Sequence, residues 1–563
     1  MGADLDLRLE AVEPRAPAVV MQPEMLGAAR PTRHSFSRSL LRRAASAGWR
    51  FSRPRFEMDE RGEGHAVYRV DAEGYTFSFV AFTQTLPEDD HTDRVIADRW
   101  EICAALIEGT PDDELLDVAK AQVPQQEDGR LDPRFLVLTR GNRSVRFFDR
   151  LIDDLAAGHS PDPDAVADSG YIMRSTAFYG NGKIGMRSFE GYLPDHPLAA
   201  SFRAQFLAAY LYRELSYDVV EHCARARGGS TAITFDGTWR RFFGLGNATG
   251  LGLVPFFLHH PRLVHAWVGV RELALAEVRA TPASDVGTAR ITDLLQRARA
   301  HMATGTTEDC TPFRSPTELV PILDRLIDTW AHVRTRPDAY DAFFRAVEHD
   351  EPEAVELAVT ALIENHEADD REIDRLLHVD EASHTDHQLP IAAFTALLDQ
   401  RFSWLDDLSL DGPEADARWW VISDNTEEPR RTRRDAMTPA GRDVAIDIAL
   451  RVHRLRLALG TTAAATVGEF LDAHPEHRAA VARVFASDRR YGEARDNVCA
   501  AEHLPLQLQR FQLAMYGMEN YKPKSTDWLR VTLFQGAPRA DEIGGLDPAA
   551  VDNWTFPIRP GGM

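Results

Sequence analysis

The chain has 563 residues and a formal net charge of −23. That length predicts two to four domains, and 44% hydrophobic with 27% charged residues is the balance of an ordinary globular protein. The negative charge argues against nonspecific binding to nucleic acid or anionic membranes, and without a run of about 18 apolar residues no membrane span is expected.

The opening "MGADLDLRLEAVEPRAP" is acidic and lacks the charged-then-apolar pattern of a secretory signal. Cys103, Cys223, Cys310 and Cys499 are scattered, with no CxxC pair. They read as reduced core thiols, so a cytoplasmic location is expected. The bias towards Arg, Ala and Asp suggests a GC-rich bacterial genome. It leaves only Lys120, Lys183, Lys522 and Lys524 as lysines among 64 Lys and Arg residues.

Residues 1–35 show no periodicity and are expected to form a disordered tail. The basic stretch within 33–56, "RHSFSRSLLRRAASAGWRFSRPRF", reads as an arm docking on the acidic body or on a partner subunit. In "HAVYRVDAEGYTFSFVAF" the apolar alternation breaks at Glu73-Gly74, which predicts a hairpin over 65–83. "DRVIADRWEICAALIEG" reads as a helix closed by Gly109, and "RFLVLTR" as a strand. "NRSVRFFDRLIDDLAAG" reads as a helix capped by Asn142, completing an N-terminal α+β region over 36–160.

"YIMRSTAFYGNGKIGMRSF" predicts a second hairpin over 171–190, with a tight turn at Asn181-Gly182. A long helix capped by Asp195 then runs to Gly228-Gly229, apolar nearly all round and therefore central. The glycine-rich "FFGLGNATGLGLVPFFLHHP" leads into the helix "RLVHAWVGVRELALAEVRA". "SPTELVPILDRLIDTWAHV" opens with a capping box, Ser315 and Glu318. These elements form an expected central helical core over 161–335. Residues 336–563 are expected to be a C-terminal helical region with a terminal strand and an extended tail. The expected class is predominantly α within α+β: a multi-helix core with a smaller antiparallel sheet built from the two hairpins, with a strand over 528–535 as an optional member.

No GxSxG, HExxH, GxxxxGK[ST] or paired CxxC occurs. Gly244 to Gly252 lacks dinucleotide-fingerprint spacing. The remaining signal is the glycine-rich stretch and the helix after it. His260, His265 and Glu272 are the candidate acid–base groups, because a His and a Glu on an apolar helix can be tuned for proton transfer. Packing glycines with a mutually satisfied His and Glu are the plainer explanation. Substrate contacts are assigned to Tyr179, Lys183, Arg187, Arg240, Gly246, Asn247 and Gly250, since glycine-rich backbone with nearby cations suits an anion. Rows of Asp and His one helical turn apart, Asp218 with His222 and Asp328 with His332, are candidate ligands for a divalent metal ion. Solvated salt-bridging faces produce the same spacing.

The expected function is a cytoplasmic enzyme acting on a small anionic organic molecule by His/Glu acid–base chemistry, its class open among lyase, hydrolase and oxidoreductase. A metal-dependent helical oxidase or oxygenase and a non-enzymatic helical binding or regulatory protein are the alternatives. No organic cofactor is assigned. No nucleic acid or membrane partner is expected, and a homo-oligomer is allowed.

Overall fold

A computed structural model describes residues 12–87, 90, 99–124, 132, 134–166, 170–175, 195–249, 260–305, 313–379, 384–407, 419–423, 430–432, 441–445, 448–487, 504–519, 521–525 and 528–560. A nine-stranded sheet forms its centre, with strand order β1-β2-β3-β4-β5-β6-β7-β12-β11. These strands are β1 (Arg50–Met58), β2 (Gly64–Ala72), β3 (Tyr75–Thr83), β4 (Ile102–Glu108), β5 (Phe135–Arg143), β6 (Tyr171–Ser175), β7 (Gly244–Thr249), β11 (Tyr521–Ser525) and β12 (Trp528–Leu533). All neighbours are antiparallel except β6 and β7. A separate three-stranded sheet contains β8 (Trp419–Ser423), β9 (Arg430–Thr432) and β10 (Gly441–Ala445).

This overturns the expectation of a smaller sheet made from two hairpins. Four stretches explain the difference, the first being residues 50–58, read largely within the basic arm and forming edge strand β1. Residues 102–108, read from sequence as helix, are β4. Their apolar run is continuous because both faces are covered, and periodicity alone does not separate such a strand from a buried helix. Ile102, Ala104 and Leu106 face the main core, while Cys103, Ala105 and Ile107 join a second core with Leu115, Leu116 and Ala119 of α4 (Asp113–Gln122). The glycine-rich 244–249 is strand β7, and "YKPKS" is strand β11. Asn142, read as a helix cap, lies in β5 and accepts the Glu101 N–H at 2.8 Å. The Glu73-Gly74 turn does join β2 to β3, pairing Ala72 with Tyr75 and holding both turn residues at positive φ. The other half of the 171–190 hairpin lies outside the described residues.

Helix α7 (Arg203–Gly228) packs on the main-core face of the sheet. It begins after Phe202, in a left-handed conformation, and not at Asp195. Gly141 in β5 permits this close approach: a Cβ there would lie 2.2 Å from the Arg174 carbonyl and 2.4 Å from the Tyr212 hydroxyl. A third core is built mainly from α9 (Pro261–Arg279), α10 (Asp285–Ala303), α11 (Pro316–Val333), α12 (Ala339–Val347) and α13 (Pro352–Ile363). Helix α14 (Asp370–Leu377) follows it. No helix among the described residues is long and apolar enough to cross a membrane.

From residue 16 onwards, the segment expected to be a disordered tail is packed. It forms α1 (Pro17–Val20), α2 (Pro23–Ala28) and α3 (Phe36–Ser46). Nine residues of α3 from Phe36 to Ala44 are buried, three arginines among them. The basic arm therefore docks on the acidic body of its own chain and is not an open contact surface. Arg15 donates to Glu272 and Glu356, each at 2.7 Å. Arg30 meets Glu353 at 3.4 Å and also pairs with Glu519. Arg38 forks onto Glu364 with two bonds of 2.6 Å and reaches Asp552 at 2.9 Å. Arg42 joins Asp552 at 2.8 Å and Asp370 at 2.8 Å. Arg43 links Glu73 at 2.8 Å to Asp374 at 2.7 Å.

The sheet ends in β1 on one side and β11 on the other. Each edge strand contains a proline, Pro54 or Pro523, and in each the pairing register shifts there, between Ser52 and Arg55 and between Pro523 and Ser525.

Removing one partner of a buried ion pair strands the other charge. Arg42→Ala, which strands Asp370 and leaves Asp552 with Arg38 alone, is expected to lower unfolding free energy by about 3–5 kcal/mol in denaturant titration. A loss below about 1 kcal/mol, the scale of a solvated pair, would show that the arm is not part of the folded core.

Candidate functional site

The sequence-selected acid–base trio does not form a site with an available carboxylate. Glu272 is fully buried, and its oxygens accept from Arg15 at 2.7 Å and Arg271 at 3.1 Å. Arg271 also pairs with Glu356. Glu272 is thus one corner of a buried two-arginine, two-glutamate cluster. His260 stands at the N-terminus of α9 and His265 one turn in, both half-buried.

The expected substrate contacts are equally occupied or dispersed. Arg240 donates to the Phe235 carbonyl at 3.2 Å and pairs with Asp541 at 3.5 Å. Gly246 faces the Tyr171 ring, where a Cβ would approach within 2.6 Å, so this glycine serves packing. Asn247 is buried in β7 opposite Val531. Tyr179, Lys183, Arg187 and Gly250 lie outside the described residues.

The metal rows resolve into ordinary pairing. Asp218 accepts the Tyr68 hydroxyl at 2.6 Å and pairs with Arg53 at 2.7 Å. His222 Nε2 donates to the Asp59 carbonyl at 2.8 Å, and its ring lies against Phe56. His332 Nδ1 donates to the backbone carbonyl of Asp328 at 2.6 Å on an exposed helix face. Among the described residues no cluster of three or more His, Cys, Asp or Glu is arranged to hold a metal ion.

A different titratable cluster does converge. Glu277 lies on α9, its side chain 68% exposed. Its Oε2 accepts from His366 Nε2 at 2.9 Å. His366 sits just beyond the C-terminus of α13, and its Nδ1 lies 2.8 Å from His34 Nε2. His34 comes from the arm, just before α3, and is 1% exposed. One tautomer assignment satisfies both bonds with neutral rings: His34 Nε2–H donates to His366 Nδ1, and His366 Nε2–H donates to Glu277. Burial pushes His34 well below the usual imidazole range, reinforced by Arg42, His366, Arg33 and Arg38. The chain of groups is therefore carboxylate, imidazole, imidazole, running from solvent into the interior.

Glu277 and His366 line a cleft of about 290 Å³. Arg290, Tyr340, Asn365 and Glu367 share its walls. Arg290 donates to the Glu364 carbonyl at 3.0 Å and to Asn365 Oδ1 at 3.4 Å. The Tyr340 hydroxyl accepts the Ser284 N–H at 3.3 Å, and Asn365 Nδ2 has no hydrogen-bond partner among the described residues. Gly287 is required by this geometry, because a Cβ would sit 2.0 Å from the Tyr340 hydroxyl and 2.9 Å from Asn365 Oδ1. The arrangement provides a solvent-facing carboxylate whose charge is supported by a fixed N–H, beside one guanidinium and a second carboxylate. No residue of the Glu277–His366–His34 chain was singled out from sequence. His34 and His366 are 332 positions apart, and neither has a spacing that marks it.

No family model, curated protein or solved structure matches this chain.

The buried histidines set the acid limit of stability. His34 and His301, whose Nδ1–H donates to the Pro557 carbonyl at 2.7 Å, both have folded pKa values below the ordinary one, His301 lowered to about 4. The unfolded chain binds these protons near pH 6.5, so stability is fully present above that pH and falls as pH drops towards the folded values. Glu353, Glu356 and Asp552, held down by their arginines, lose their contribution in the same direction at lower pH. Unfolding titrations between pH 7 and 5 should slope by about 1.4 kcal/mol per pH unit for each proton taken up. His34→Gln should flatten that slope; an unchanged slope would remove His34 as a contributor.

Proposed function

We propose that the protein is an enzyme that moves a proton on a small organic molecule bound in the cleft beside Glu277. The observation that carries this reading is the Glu277–His366–His34 chain, which presents a carboxylate to solvent while two imidazoles fix its orientation from behind. Glu277 is the catalytic acid–base group. His366 and His34 are positioning residues, because both hydrogen-bonding nitrogens of His366 are already engaged. Arg290 receives an anionic group of the substrate, and Glu367 answers a cationic one. One guanidinium between two carboxylates favours a zwitterion over the purely anionic molecule expected from sequence. Proton abstraction is a first step shared by eliminations and isomerisations, and the lyase option is the one this geometry supports best. Cys103 and Cys223, both buried free thiols, suit a reducing compartment such as the cytoplasm.

A non-enzymatic reading draws on one specific observation: His34 belongs to the buried arm, so the imidazole pair also ties the arm to the helical core. The two readings separate experimentally. Wild-type protein is screened against small zwitterionic acids for solvent-deuterium exchange or product release. Glu277→Gln should retain the fold and lose turnover by about 10²–10⁴-fold, the usual worth of a positioned acid–base group. Arg290→Ala should raise KM more than it lowers kcat. Activity that survives Glu277→Gln would end the assignment of Glu277. A loss of stability in Glu277→Gln, with wild type inert in the screen, would favour the clasp.

A further inference from the structure

A second enclosed space lies where the arm, the end of β12 and the C-terminal tail meet. It is lined by Pro31 and Arg38 of the arm, Gly517 and Glu519, Thr532 and Gln535, and Trp554, Thr555 and Pro557. Its free room is about 10 Å³, near the lower limit for a single water molecule. Glu519 Oε2, Trp554 Nε1 and Thr555 Oγ1 are buried and have no hydrogen-bond partner among the described residues. So is Ser37 Oγ, which lies 2.1 Å from where a Cβ on Gly517 would stand. Gly517 has a positive φ of 92°, so a side chain there is excluded twice over.

We propose that this chamber is a binding site for one structural water molecule. The donor and acceptor character of the four groups selects the guest. Glu519 Oε2, as the free oxygen of a carboxylate paired with Arg30, requires a donor. Trp554 Nε1–H requires an acceptor. The two hydroxyls rotate to give or receive. Water supplies two donors and two acceptors and so answers the carboxylate, the indole N–H and a hydroxyl together. An ammonium ion has no lone pair for the indole N–H, and a halide has no proton for the carboxylate. Glu519, Trp554 and Thr555 line the chamber, so the guest acts as a shared hydrogen-bonding joint between the segment after the 504–516 helix and the C-terminal tail, with Ser37 of α3 adjoining it at Gly517. Asp552, two residues before Trp554, already receives Arg38 and Arg42, and the water extends that connection along the tail.

A high-resolution crystal structure of the full chain tests this directly. A single water peak within about 3.2 Å of Glu519 Oε2, Trp554 Nε1 and at least one of the two hydroxyls is the expected result. Direct bonds between these groups, a dry chamber or an ion in it would overturn the proposal. In solution, the Trp554 indole proton, assigned by its disappearance in Trp554→Phe, should show a dipolar cross-peak to a long-lived water. The paired substitution Ser37→Ala with Thr555→Val should abolish that peak while the other indole signals remain in place. A Trp554 indole that shows no such water contact in the wild-type protein would overturn it regardless of how the variants fold.

Discussion

The structure depends on burying arginine. Five arginines of the N-terminal arm, Arg15, Arg30, Arg38, Arg42 and Arg43, reach carboxylates on α13, α14 and the C-terminal tail. Each buried charge must be matched, since an unpaired one costs several kcal/mol to desolvate. The arm can therefore lie only where its arginines meet their partners in register. Such pairs fix position more than they add net stability, because desolvation offsets much of the attraction. The planar guanidinium fork suits this role: Arg38 grips both oxygens of Glu364, and Arg510 both oxygens of Glu353. A lysine point charge would leave one oxygen unsatisfied. The preference for arginine over lysine, ascribed from sequence to genome composition, thus also has a structural use.

The same constraint shapes the candidate site. His34 is delivered by the arm into a region crowded by Arg33, Arg38 and Arg42. Those cations disfavour an imidazolium there, so the inner end of the chain stays neutral. The outer end is Glu277, on the helix that also carries Glu272. Two glutamates on one helix acquire opposite fates from their surroundings. Glu272 is sealed by Arg15 and Arg271, whereas Glu277 stands in a cleft with only an imidazole behind it.

Local features were legible in the sequence, and non-local ones were not. The Glu73-Gly74 turn and the Ser315–Glu318 capping box announce themselves because their chemistry is contained in four residues. Strand β4 does not, because its apolar run reflects two cores that the sequence cannot display. The carboxylates from Glu353 to Asp374 read as polar faces of amphipathic helices, and the basic arm as a docking segment whose partner, the acidic body or another subunit, is left open. Each is buried only because the other exists. The candidate site suffers the same loss, being assembled from positions near 34, 277 and 366. Glycines chosen as an anion cradle turned out to permit contact with Tyr171 and with the neighbouring strand, a use of glycine that sequence does not separate from ligand binding.

The two ends of the large sheet have a consequence for how copies of this chain meet one another. An open sheet offers at each rim a row of unsatisfied backbone groups on which another strand can grow. Here one rim reads Arg53-Pro54-Arg55 and the other Lys522-Pro523-Lys524. At both, a residue without an N–H stands between two cations, and the pairing register breaks at that point. A strand arriving from solvent finds at each rim a missing donor and a break in the pairing register. Half of the lysines in the protein are spent on one of these rims. The sheet is in this sense terminated at both ends by its own sequence, which lets nine strands be assembled without becoming a template for a tenth.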